Sequence, residues 1–111
     1  VRLKVSYDRS GDVVIVVLSG EVDLSVEKQF RAMLDEALRG QPPPVVVVDL
    51  AGVRFLDCAG VRVLLRARRA AHARGCALTV RDPQPIVEQV LRVLQVADVL
   101  GLPRPSAPGQ P

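Results

Sequence analysis

Pro42, Pro43 and Pro44 run directly into Val45-Val46-Val47-Val48-Asp49-Leu50. Proline lacks the N–H that a sheet ladder needs, so it is tolerated at the start of a strand and not inside it. A helix cannot continue through three of them. The apolar run after them is short and β-branched, which suits a buried strand better than a helix. A short loop with Gly52 is expected next, then the hydrophobic pair Phe55 and Leu56, then Asp57-Cys58-Ala59-Gly60. A long helical pattern begins there. Asp57 stands where an N-cap belongs, and its carboxylate can accept hydrogen bonds from the first free N–H groups of that helix. Residues 45–65 therefore read as strand, loop, helix N-terminus, and such a terminus is a natural anion position.

The rest of the chain arranges itself around that unit. Residues 3–8 alternate and predict a first strand, Asp8 to Asp12 a turn, and Val13 to Leu18 a second strand, together a hairpin. Gly20-Glu21-Val22-Asp23 reads as the strand exit. Glu21 and Asp23 either face water or share a rim with Asp57. Ser25 is expected as a helix cap or a first-turn residue. Val26, Phe30, Leu34 and Leu38 then form one apolar stripe, with Met33 beside it. Gly40 ends that helix with a left-handed cap. After Asp57 the second helix runs to about Arg74. Its inward face carries Gly60, Leu64, Ala67 and Ala71, flanked by Val61 and Leu65. Arg62, Arg66 and Arg69 form a basic stripe elsewhere on it, either a solvated surface or a docking face for an acidic partner. Arg68 lies near the apolar flank and can snorkel outward. Gly75 closes the helix and Cys76 to Val80 predicts a strand. Asp82 to Pro85 opens a third helix, whose buried stripe should be Ile86, Val87, Val90, Leu91 and Leu94. Val99, Leu100 and Leu102 are expected in a terminal turn. The order β-β-α-β-α-β-α predicts an α/β fold, a small mixed β-sheet with helices packed on it.

One domain over residues 1–102 is expected, with 103–111 a disordered Pro-rich tail. A length of 111 residues suffices for one modest core. The 49% hydrophobic content is globular, and with only Tyr7, Phe30 and Phe55 aromatic the core must be aliphatic. No apolar window is long enough to span a membrane and no signal peptide is expected, so the location reads as cytoplasmic. Cys58 and Cys76 are then expected as free thiols. A net charge of +3, with dispersed arginines and no aromatic platform, is a weak footprint for nucleic acid.

Catalytic chemistry is thinly represented. There is no phosphate loop, no dinucleotide fingerprint and no metal-ligand spacing, so neither a cofactor nor a metal is expected. Cys58 at a helix N-terminus invites a nucleophile reading. The neighbouring Asp57 disfavours a thiolate. The only histidine, His72, lies several turns down the same helix and reads as a surface residue.

The ordered motifs carry a resemblance. Gly20-Glu21-Val22-Asp23, then Val48-Asp49-Leu50 through Asp57-x-x-Gly60, the helix opening Val61 to Leu65, and Val96-Ala97-Asp98-Val99-Leu100-Gly101-Leu102 resemble a STAS domain of the bacterial anti-sigma factor antagonist type. The resemblance covers residues 3–102. It implies a non-enzymatic regulator that binds an anti-sigma factor, itself a serine kinase, and so releases a sigma factor. It implies a binding surface drawn from Glu21, Asp23, Ser25, Asp57, Cys58, Ala59, Gly60 and Arg62, in a monomer or weak homodimer. In the family the kinase phosphorylates the serine after the aspartate. Here that position is Cys58, followed by Ala59, so a hydroxyl-directed kinase has no acceptor. The expected function is thus an antagonist whose ordinary switch is lost or replaced. The alternatives are a STAS scaffold or ligand-sensing module of another bacterial assembly, and an unrelated α/β domain or a small enzyme. Cysteine oxidation could accompany either of the STAS readings.

Overall fold

The computed structural model describes residues 3–103. The expected tail lies outside these residues apart from Pro103. Strands β1 (Lys4–Ser10) and β2 (Val13–Val22) form an antiparallel hairpin. Strands β3 (Val45–Leu56) and β4 (Ala77–Arg81) then add in parallel, giving the sheet order β1-β2-β3-β4. Helices α1 (Glu27–Ala37), α2 (Cys58–Ala73) and α3 (Pro85–Val93) complete the expected element order. A 3-10 turn, Leu24–Val26, precedes α1.

The hairpin strands outrun their sequence limits. β1 continues to Ser10, so the turn shrinks to Gly11-Asp12, and β2 continues through Gly20-Glu21-Val22. The loop expected around Gly52 is instead strand. Because β2 is long, it offers Ser19 to Val22 as ladder partners to Gly52 to Leu56, with register shifts absorbing the mismatch. Backbone polar groups there are paired rather than left to solvent, the usual requirement near a core.

Alternation along β2 and β3 buries Val14, Val16, Leu18, Val46, Val48 and Leu50 on one face. Phe30 and Leu34 of α1 and Leu64, Ala67 and Ala71 of α2 close over them in a single core. Val87 and Leu91 of α3 join it, as do Leu100 and Leu102 of the terminal turn. Gly40 takes the left-handed conformation expected after α1, at φ 68°. Arg74 donates to the carbonyl of Leu38 at 2.6 Å and to that of Gly40, which ties the end of α2 to the end of α1. The amide of Val80 donates to the carbonyl of Leu100 at 2.8 Å, so the terminal turn pairs with the outer edge of β4.

The third helix departs from expectation. Ile86 is 58% and Leu94 40% exposed, so neither belongs to the buried stripe, and Val93 beside them is 71% exposed. Ile86, Val87, Val90, Leu91, Val93 and Leu94 spread over an arc wider than the roughly 100° face that packing needs. Val87 and Leu91 take the core side. Val90 packs against the core half-buried, and Ile86, Val93 and Leu94 are left over. Val99 is exposed as well, while Leu100 and Leu102 are buried.

Candidate functional site

Two strand ends build the site. Val22 of β2 pairs with Leu56 of β3, and the Asp57 amide donates to the Val22 carbonyl at 3.1 Å. Asp23 and Asp57 come directly after these paired residues, so the ladder itself brings the two carboxylates to one rim. Each caps the helical turn on its C-terminal side. Asp57 Oδ1 accepts from the Gly60 amide at 3.1 Å, as an N-cap with extended backbone should. The carboxylate therefore occupies the helix terminus that the sequence marked as an anion position.

Asp23 Oδ1 accepts from the Ser25 amide at 2.9 Å and from its hydroxyl at 2.5 Å. Of the two places expected for Ser25 the structure gives the second: Asp23 caps, and Ser25 sits in the first turn. The Ser25 hydroxyl, as the main cause, holds the Asp23 carboxyl below its ordinary value. A depressed carboxyl pKa adds stability above the unfolded value, and that stability is lost as pH falls through the folded one. Ser25→Ala should move the Asp23 titration upward, toward the ordinary carboxylate value, in an NMR pH series. An unmoved titration would assign the depression to the backbone amides instead.

Glu21 lies 3.8 Å from Arg54, with both side chains about half in water, a pair of little energetic weight. Cys58 is exposed at the first position of α2. Arg62 is exposed one turn further along. Ala59 and Gly60 depart from the expected surface. Ala59 is 4% exposed and Gly60 is buried, so they shape the turn and offer no side chain to a partner. A Cβ on Gly60 would fall 2.4 Å from Leu56 Cδ1 and 2.7 Å from Val22 Cγ1. Only glycine lets α2 start this close to the two strand ends.

Sequence reasoning passed over the apolar side chains around this rim. Leu24 is 69% and Phe55 46% exposed, immediately after Asp23 and two residues before Asp57. The spare arc of α3 reaches the same place: Cys58, Ile86, Gln89, Val90, Val93 and Leu94 line an open groove of ≈ 340 Å³. The signal available in the sequence was the excess of apolar residues in α3. Asp49 lies away from the rim at the β3–β4 register, where Arg81 Nη2 donates to it at 2.9 Å and Nε at 3.1 Å. It serves the sheet.

The two thiols are free and unlike each other. Cys76 is buried, and burial pushes its pKa up, whereas Cys58 is exposed. A maleimide should label Cys58 in the native protein within minutes and Cys76 only on unfolding. Peptide mapping of the labelled chain checks this, and equal labelling of both would contradict the burial. His72 is exposed on α2, and among the described residues no group of His, Cys, Asp and Glu could hold a metal ion. No helix among them is long and apolar enough to cross a membrane.

The family model described as "Mlab, STAS domain" matches residues 5–102. The chain belongs to the STAS domain family. This STAS domain is 29% identical over 90 residues to an anti-sigma F factor antagonist of Paenibacillus polymyxa, covering 81% of the chain and 77% of that protein. An anti-sigma factor antagonist from Mycobacterium paratuberculosis has the same fold, with a TM-score of 0.79 at 19% identity over 91% of this chain and 85% of that one. So does the Bacillus cell fate determinant SpoIIAA in its phosphorylated form, with a TM-score of 0.67 at 19% identity over 87% of each chain. The mixed four-stranded sheet flanked by helices is thus STAS-like, and the domain is homologous to bacterial anti-sigma factor antagonists.

Proposed function

We propose that this STAS domain is a cytoplasmic anti-sigma factor antagonist that binds a serine-kinase-type anti-sigma factor and so releases a sigma factor. Residues 1–102 are the binding domain. The contacts come from Glu21, Asp23, Ser25, Asp57, Cys58 and Arg62, with Ala59 and Gly60 shaping the surface from beneath. The observation that carries this reading is Cys58: an exposed thiol directly after the capping Asp57, where the family places its phosphorylatable serine. The cap and the helix start are intact, so the unphosphorylated shape of the surface is retained. A cysteine there offers a thiol close to serine in size and a poorer hydrogen-bonding group. Binding is then independent of the kinase's usual mark.

The experiment is calorimetry against the anti-sigma factor, with and without ATP. The wild type should bind equally in both and carry no phosphate on the peptide spanning residues 57–60. Asp57→Asn should keep the cap, because asparagine caps as well as aspartate. It should nevertheless weaken binding about tenfold through loss of the charge. Unchanged affinity for both Asp57→Asn and Asp23→Asn would remove the rim from the interface. ATP-dependent loss of wild-type binding, with phosphate at the site, would overturn the reading.

A further inference from the structure

We infer that the partner surface extends from Cys58 along α2 and onto α3, and that its occupant is an acidic amphipathic helix of the partner protein. This rests on the antagonist reading for the partner's identity and goes beyond it in naming the partner's chemistry. Two features meet at Cys58. On α2, Arg62, Arg66 and Arg69 succeed Cys58 at helical spacings that keep all four on one face. All three guanidiniums are exposed, and among the described residues none has an ion-pair or hydrogen-bond partner. On α3 and its C-cap, the exposed Ile86, Val93 and Leu94 and the half-buried Val90, with Gln89 among them, line a groove that Cys58 also lines.

A row of exposed positive charge thus starts at Cys58, the one α2 residue that also lines the aliphatic groove. An amphipathic helix with apolar anchors and a carboxylate-bearing flank satisfies both at once. The groove is too open to enclose a small molecule, which is ordinarily buried over most of its surface. A second copy of this chain would bring an equally basic α2 to the contact. Charge thus favours an acidic protein segment. Orientation is set as well, because the carboxylates of Asp23 and Asp57 lie at one end of the arginine row. The acidic flank must run away from the rim.

The test uses isotope-labelled protein and a synthetic helical peptide with one leucine face and one glutamate face. The counterpart peptide carries lysine in place of glutamate. The glutamate peptide should shift the methyl signals of Ile86, Val90, Val93 and Leu94, and the lysine peptide should not. Arg62→Glu/Arg66→Glu and, separately, Val93→Asp should each weaken glutamate-peptide binding by at least about tenfold. All three positions are exposed, so the variants should fold like the wild type. Equal binding of both peptides, or no methyl shifts, overturns the proposal. So does a dimer by light scattering that buries α3, or binding of anionic phosphatidylglycerol vesicles without peptide. The peptide result does not depend on the anti-sigma factor. If that factor binds and responds to Asp57→Asn but not to Val93→Asp, the extended surface fails and the antagonist reading stands.

Discussion

On the proposed reading, Cys58→Ser should take up one phosphate from a serine-kinase-type anti-sigma factor, and the wild type none. The side chain at this position is exposed, so a hydroxyl placed there is open to the kinase. The backbone needs no change, because Asp57 already caps α2 and Gly60 already sits in its cleft. A phosphoserine would add a charge of roughly −1.5 to −2 beside Asp57. The helix N-terminus offsets part of that charge, but Asp57 already accepts from the Gly60 amide at 3.1 Å. The phosphorylated variant should therefore bind the partner at least about tenfold more weakly, a difference of about 1.4 kcal/mol. Intact mass, peptide mapping and calorimetry together measure this. A folded variant that binds normally and takes up no phosphate would show that kinase recognition was lost elsewhere in the chain.

Gly60→Ala should destabilise the domain by about 1–2 kcal/mol. The added methyl would meet Leu56, 2% exposed, and Val22, fully buried. Val22 is β-branched and stiff at χ1, so it cannot simply rotate away. Overpacking of this kind costs about 1–3 kcal/mol. Alanine's better helix propensity returns about 1 kcal/mol at most. The helix start must shift to relieve the clash, and the Gly60 amide that Asp57 caps shifts with it. Urea denaturation should show a lower midpoint with an unchanged slope. Stability equal to the wild type would mean that Leu56 and Val22 repack freely. Partner binding should fall along with stability, unlike in Asp57→Asn.

The parts of the fold legible in the sequence were those written in local chemistry. Three prolines marked the start of β3, Asp57 marked the start of α2, and the stripe through Phe30 and Leu34 marked α1. The features that escaped depend on partners distant in sequence. Gly52 looks like a loop residue until the length of β2 is known, because only that length supplies a ladder for residues 52–56. Ser25 reads equally as cap or first-turn residue until the Asp23 carboxylate is seen to accept from its amide. Ile86 and Leu94 obey a helical period that makes them look buried. How much of α3 faces the core is decided by the sheet beneath it, not by α3. The rim was legible because the two aspartates stand just past strand ends. The apolar groove beside it was not, since it brings Cys58 together with residues 86–94, which only the tertiary fold joins.

The terminal turn that pairs with β4 also bears on strand addition at that edge. An open strand edge is a template onto which another chain can add. The Val80–Leu100 hydrogen bond places the chain's own last turn on that edge. Among the described strands, β1 is left as the open border, and it carries Lys4, Asp8 and Arg9. Charged side chains at a border discourage strand-on-strand growth. The sheet thus has one β4 edge amide taken by its own terminal turn, and its other border guarded by charge. Contact with other molecules is left to side-chain surfaces rather than to exposed backbone.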